Sequence, residues 1–256
     1  MTEAGFLLLG VVAGILSGMF GIGGGIVMVP SLIVLFGMDI LDANATSLAA
    51  MLLPVGILGV IAYYKAGLVN IKQSLWISLG LFAGSFFGGE IAVNINEQLL
   101  TLLYSVILIY VSLSYLNIPA LFRRKDQKTE EQLPVKRPYW AFILTGLAAG
   151  IFAGLFGKGG GLIIVPMLIG FFRYQPKAAA ATSLAALQLP VGLPSVMVYS
   201  QAGHLNLLFA ALIAAGIVVG SLVGSVISVK MPADLFKKTY AVFLFFVAIY
   251  MVVKYL

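Results

Sequence analysis

A chain of 256 residues in which 61% are hydrophobic and only 9% charged has too little polar surface to coat a soluble domain, and a mean hydropathy of +1.09 makes lipid the expected solvent. The absence of cysteine excludes disulfides, thiol catalysis and iron–sulfur or zinc–thiolate sites. The formal net charge of +6 is scattered over short loops and one linker, with no basic helix face, which argues against a nucleic-acid partner and points to membrane orientation.

Apolar runs near residues 4–20, 45–63, 74–93, 98–117, 139–156, 181–199, 207–229 and 238–253 are each long enough to cross ~30 Å of hydrocarbon. Two shorter pieces, near 26–37 and 162–172, are not. Frequent glycines and the lack of polar/apolar alternation favour helices over a transmembrane barrel. The first run follows Thr2-Glu3 and not a basic segment, so it reads as a retained helix and not a signal peptide. It carries Gly10, Gly14 and Gly18 at spacing four, a bare ridge that suits close helix contact, either within this fold or across a homodimer.

At Gly21–Gly25 the first helix must break, because consecutive glycines lose the most backbone entropy on ordering. A break inside hydrocarbon is tolerated only where protein or a water-filled cavity takes up the freed backbone groups. Residues 26–37 then return as a short helix containing Pro30, a re-entrant-like hairpin. Asp39 and Asp42 lie in the following turn, Asn44 opens the next helix with Thr46 and Ser47 in its first turns, and Pro54 and Gly56 mark a kink. Lys65 and Lys72 flank the next loop, whereas Asn94–Glu97 has no Lys or Arg; residues 119–138 form a charged aqueous linker.

The pattern then repeats at an offset of 136 residues. Gly21-Ile22-Gly23-Gly24-Gly25-Ile26-Val27-Met28-Val29-Pro30 meets Gly157-Lys158-Gly159-Gly160-Gly161-Leu162-Ile163-Ile164-Val165-Pro166, and Ala45-Thr46-Ser47-Leu48 meets Ala181-Thr182-Ser183-Leu184. Pro54-Val55-Gly56 meets Pro190-Val191-Gly192, Tyr63 meets Tyr199, and Asn70 meets Asn206. About half of the positions from Gly14 to Asn70 recur, so this is an internal duplication. The expected fold is therefore an all-α polytopic membrane protein. It comprises a first repeat (1–118), the linker (119–138) and a second repeat (139–256), each repeat a glycine-broken hairpin plus three transmembrane helices.

Basic loops change position between the halves: Arg173 and Lys177 follow the second short helix, the loop at 200–206 has only His204, and Lys230, Lys237 and Lys238 flank the last turn. Lys and Arg favour the cytoplasmic side, so opposite charge at equivalent loops means inverted repeats with a cytoplasmic linker and external termini. Four spans per repeat in parallel orientation, with both termini cytoplasmic, is the competing arrangement.

Glycine turns expose backbone N–H groups at the start of a short helix, whose partial positive charge suits carboxylate or sulfonate oxygens. Gly23, Gly24, Gly25, Gly159, Gly160 and Gly161 are the first candidates for substrate binding, against the plainer role of tight hairpin packing. Lys158 replaces Ile22 and is the one Lys or Arg expected deep in the bilayer, where a cation implies a bound anion or an ion pathway unless it snorkels to an interface. The hydroxyls of Thr46, Ser47, Thr182 and Ser183 either face the same cavity or cap their own helices. Asn44 and Gln188 have no like partner at Ala180 and Leu52, and either shape selectivity or satisfy local backbone. Pro30, Pro54, Pro166 and Pro190 are candidate hinges. Glu90 either binds a coupling proton or is a solvated interfacial carboxylate, and His204 is a pH sensor or an ordinary loop residue. Nothing resembles a catalytic set, a metal site or a cofactor motif.

The paired GxGGGxxxVP and ATSL elements resemble the sulfite exporter TauE/SafE family, also called the 4-toluene sulfonate uptake permease family. The resemblance covers nearly the whole chain apart from the linker. It implies a secondary transporter in the cytoplasmic membrane for a small anion such as sulfite, a sulfonate or sulfoacetate, in either direction. Export needs little coupling because the inside-negative potential drives an anion outward; uptake needs a co-transported proton or other cation. An anion channel on the same broken helices is the alternative.

Overall fold

A computed structural model of the chain describes residues 3–21, 23–54, 56–96, 138–157 and 160–232, with isolated positions between 98 and 106 and between 235 and 242. Every regular element among them is a helix: α1 (Glu3–Phe20), α2 (Gly25–Phe36), α3 (Ile40–Ala50), α4 (Ile57–Lys65), α5 (Ile71–Asn94), α6 (Tyr139–Phe156), α7 (Gly161–Gly170), α8 (Pro176–Ala186), α9 (Leu193–Gln201) and α10 (Leu207–Lys230). The linker up to residue 137, most of the runs at 98–117 and 238–253, and both Lys158 and Gly159 lie outside the described residues.

The runs expected at 4–20, 74–93, 139–156 and 207–229 are α1, α5, α6 and α10. Among the described residues these four are long and apolar enough to cross a membrane. Their outer faces carry bulky apolar groups, such as Leu79, Phe82 and Phe86 on α5 and Val219, Val223 and Val226 on α10, all exposed. In water such a coat would drive aggregation, whereas in lipid it faces its own kind.

Two expected spans are each split in two. The run at 45–63 is α3 and α4, and the run at 181–199 is α8 and α9, with non-helical residues 51–54 and 56 between the first pair and 187–192 between the second. Proline supplies no N–H and ends each first half. The last turns tighten before it, with Leu52 N–H on Ala49 O at 3.1 Å and Gln188 N–H on Ala185 O at 3.2 Å. The second halves begin where Ile57 N–H meets Pro54 O at 2.9 Å and Leu193 N–H meets Pro190 O at 3.0 Å. α3 and α8 also begin earlier than expected, at Ile40 and Pro176. Thr46, Ser47, Thr182 and Ser183 therefore sit in the second turn, past the unpaired N–H groups that a helix start exposes, and Asn44 lies inside α3 and does not open it.

The hairpins α1–α2 and α6–α7 form where glycine is needed. Gly21, Gly23 and Gly24 take φ of 67°, 78° and 77°, and Gly157 takes 64°, a left-handed region that side chains resist. Gly160, which precedes α7, has an ordinary φ of −56°. Pro30 and Pro166 lie inside α2 and α7, which continue through them.

Glycine seams join the long helices. Gly10, Gly14 and Gly18 of α1 face Ile213, Ile217 and Ser221 of α10 in ascending order, so the two helices run parallel. Gly80, Gly84 and Gly88 of α5 likewise face Ile143, Leu147 and Ile151 of α6. An added Cβ at any of these glycines would strike the neighbouring backbone. The bare ridge on α1 thus has its partner inside the chain. Each seam is stitched by a buried tyrosine: Tyr63 donates to Gly18 O at 2.8 Å, and Tyr199 to Gly154 O at 2.9 Å.

Candidate site where two broken helices cross

The breaks in α3–α4 and α8–α9 lie against each other. Gly56, which begins α4, faces Gln188 and Leu184; Gly192, which begins α9, faces Leu48 and Leu52. Ser85 of α5 donates to Val191 O at 2.7 Å, which satisfies one carbonyl freed by the second break, and Ser195 donates to Ser85 O in return. A cavity of about 20 Å³ adjoins the crossing, lined by Gly160, Met51, Leu81, Ser85, Leu187 and Val191 among others. That is room for about one water.

Gly160 at the tip of the second hairpin thus opens onto residues from both breaks. It also lies against Ala149 of α6 and Leu81, close to the middle of α5. Gly24 lies against Ala13 of α1, which falls between the Gly10–Ile213 and Gly14–Ile217 contacts, so it is level with the middle of α10. Gly23 and Gly25 flank it and are buried, as is Gly161 beside Gly160.

The hydroxyl residues are placed toward the helix ends and are not equivalent. In the second repeat they are used up: Ser183 donates to Gly21 O at 2.7 Å, and Thr182 Oγ1 accepts from Asn70 N–H at 3.3 Å. In the first repeat Thr46 and Ser47 are fully buried and their oxygens have no partner. Asn44 donates through Nδ2 to Leu155 O at 3.2 Å and packs on Gly157, leaving Oδ1 unpaired. Gln188 lies in the crossing itself: Nε2 donates to Leu184 O at 2.7 Å, and Oε1 is buried without a partner. Pro54 and Pro190 lie in the two breaks. Glu90 is an exposed residue near the end of α5, where its carbonyl accepts from Asn94.

Several contacts were not visible in the sequence. Ser74 and Ser78 of α5 donate to Thr182 O at 3.0 Å and Ala186 O at 2.6 Å, so α5 serves as a rail of hydroxyls for α8. The only hint was a cluster of serines among apolar residues. His204 Nδ1 lies 2.6 Å from Asp42 Oδ1, joining the loop before α10 to the first turn of α3. Among the described residues no group of His, Cys, Asp and Glu could hold a metal ion.

Residues 6–251 match the family described as Sulfite exporter TauE/SafE. The probable membrane transporter protein YunE of Bacillus subtilis is 30% identical over 226 residues, 82% of each chain. The probable membrane transporter protein MJ0441 of Methanocaldococcus jannaschii is 29% identical over 207 residues, 78% of this chain and 74% of its own. A probable membrane transporter protein of Haemophilus influenzae is 27% identical over 97% of both chains. No solved structure matches. Two glycine hairpins, two broken helices and four lipid-length helices among the described residues thus sit in a chain matched almost end to end, and it belongs to the sulfite exporter TauE/SafE family.

Proposed function

We propose that the chain is a secondary carrier of a small sulfur-containing or carboxylated anion, built from two inverted repeats and working by alternating access across the cytoplasmic membrane. The observation that carries this reading is the crossing of the two proline–glycine breaks near mid-height of the long helices. Irregular backbone at that depth is tolerated only where it is buried in protein or lines a pathway, and discontinuous helices meeting near the midplane are where secondary transporters bind cargo.

The inversion is supported by which ends meet. The Asp42–His204 pair and the bond from Asn44 to Leu155 bring the starts of α3 and α10 to the end of α6. Asn70 bonded to Thr182, and Lys177 Nζ on Val229 O at 2.8 Å, bring the start of α5, the first turns of α8 and the end of α10 together. Since α1 runs with α10 and α5 with α6, α1 and α6 point in opposite directions. Among the described residues Lys65, Lys72, Arg173, Lys177 and Lys230 fall at the second of these ends, and Glu3, Asp39, Asp42 and Glu90 toward the first. The bias of Lys and Arg makes the second end cytoplasmic, with the 119–138 linker on that side and the N-terminus outside. The domain limits 1–118 and 139–256 follow the same division.

Cargo then sits between the halves, held by the α4 start at the crossing and by the glycine tips, with Lys158 supplying countercharge. An inside-negative potential favours outward movement of one negative charge by ~2.3 kcal/mol per 100 mV, so export is the preferred direction, and sulfite, from the family's description, is the first cargo to try. The test is counterflow of labelled sulfite and sulfonates in proteoliposomes holding the purified chain. Exchange that is accelerated by unlabelled anion on the far side supports a carrier. Single-channel currents without exchange indicate a channel, and no anion movement at all removes the proposal. Gly24→Leu and Gly160→Leu are each expected to abolish exchange.

A further inference from the structure

Resting on the carrier reading, we infer that the cargo is an oxyanion that also carries a hydrogen-bond donor, and that Gln188 is the residue that reads it. Three features of the crossing lead there. Gln188 has no counterpart in the first repeat, where Leu52 stands at the equivalent position. Its amide orientation is fixed, because Nε2 donates to Leu184 O at 2.7 Å and only the nitrogen can do so. The remaining oxygen, Oε1, is buried without a partner, an arrangement that is costly to leave unmet.

The position of that oxygen gives it meaning. A Cβ added to Gly56 would lie 2.7 Å from Nε2 and 3.3 Å from Oε1. Gly56 has an ordinary φ of −90°, so glycine serves there to admit the amide and not to turn the chain. The amide therefore lies on the first turn of α4, whose partial positive charge attracts an anionic oxygen. The start of α9 differs: Pro194 stands in its first turn, where it supplies no N–H, and Gly192 faces the apolar Leu48 and Leu52. The crossing thus offers one polar corner, made of a positive helix start and a single amide acceptor side by side.

Such a corner matches a ligand with two unlike functions. Negative oxygens lie against the positive start of α4, while a hydroxyl, an amine or the proton of a singly protonated oxyanion donates to Oε1. An oxyanion with no donor would instead press its oxygens against a carbonyl. A site arranged to accept a substrate's hydrogen bond rejects the analogue lacking it strongly, because its buried acceptor is left unpaired. The cavity at the crossing, about 20 Å³ and lined by Leu187 and Gly192 but not by Gln188 or Gly56, holds about one water, so cargo takes this corner when the two breaks part.

The test uses the purified full chain in proteoliposomes and a matched pair of probes, 2-hydroxyethanesulfonate and ethanesulfonate, each competing against labelled sulfite in counterflow. The wild-type chain is expected to take the hydroxyl form at a concentration ~10- to 100-fold lower. In Gln188→Leu, which installs the first-repeat residue, and in Gln188→Met, of similar length, that ratio should collapse toward one while thermal unfolding shows a folded protein. Equal competition by the two probes in the wild type, a ratio that survives both substitutions, or sulfite exchange that neither probe disturbs would each overturn the inference and leave the carrier intact. Failure of the chain to move or bind any anion would instead overturn the carrier reading.

Discussion

Ser183 and Ser47 occupy equivalent positions in the duplication, yet removing their hydroxyls should have different consequences. Ser183 is fully buried and donates to Gly21 O at 2.7 Å. Ser183→Ala deletes that bond and leaves the carbonyl of the first hairpin's turn in apolar surroundings, a loss of ~1–3 kcal/mol. At ~2–4 °C per kcal/mol for a chain of this size, the unfolding midpoint should fall by a few degrees or more. Ser47 is equally buried, but its Oγ has no partner. Ser47→Ala removes an unsatisfied hydroxyl and should leave stability within ~1 kcal/mol of wild type, or raise it. Thermal unfolding in one detergent, with each alanine variant measured beside the wild type, makes the comparison direct. If Ser47→Ala costs as much as Ser183→Ala, the unpaired state of Ser47 is refuted. Wild-type stability with impaired exchange would instead place its hydroxyl on the cargo's route.

The two hairpin glycines should also differ. Gly24→Ala forces a side chain onto a φ of 77°, at ~1–2 kcal/mol, whereas Gly160→Ala keeps φ at −56° and adds only contacts, with the movable tip of Leu81 and with Ala149 O at 3.0 Å, the latter close to the 3.1 Å contact of Gly24 with Ala13 O. Unfolding midpoints should therefore fall further for the first, and an equal drop would contradict the turn geometry. The chain has no cysteine, so single cysteines at Lys72, Lys177 and Lys230 should escape an impermeant maleimide applied to intact cells, and those at Asp42 and His204 should react. Labelling of both sets from outside would dismiss the inverted arrangement. Lys158→Met should lower anion affinity or exchange while the protein still inserts and folds, as judged by membrane expression and monodispersity; unchanged binding and flux would remove this lysine from the site.

Much of the fold could be read from residue patterns, because lipid imposes simple rules. Four long helices end within three residues of their apolar runs. The turns after α1 and α6 fall at the glycine clusters, since glycine is the residue that accepts the left-handed φ found at Gly21, Gly23, Gly24 and Gly157. Hydropathy could not divide the runs at 45–63 and 181–199, because the segments 51–56 and 187–192 are themselves apolar apart from Gln188. Proline there signals a kink, but whether a helix resumes on the same axis depends on what its freed carbonyls find, such as Ser85 for Val191. The site was legible in part for a similar reason. Duplication made Thr46, Ser47, Thr182 and Ser183 look alike, while the bonds that consume the second pair come from Gly21 and Asn70 of the other half. Gln188 stood out as a polar residue without a repeat partner, but its unpaired oxygen follows from the contact with Leu184.

The seam between α1 and α10 joins Gly10 to Ile213, positions 203 residues apart. During synthesis the α1 helix must therefore wait in the bilayer, its bare face uncovered, until nearly the whole chain has left the ribosome. The α5–α6 seam joins Gly80 to Ile143, only 63 residues apart, and can close first, so insertion should proceed from the middle of the molecule outward. Neither half is self-sufficient, because each owns one side of both seams. Split into separately expressed halves, the chain should regain its shape only when the two fragments share a membrane.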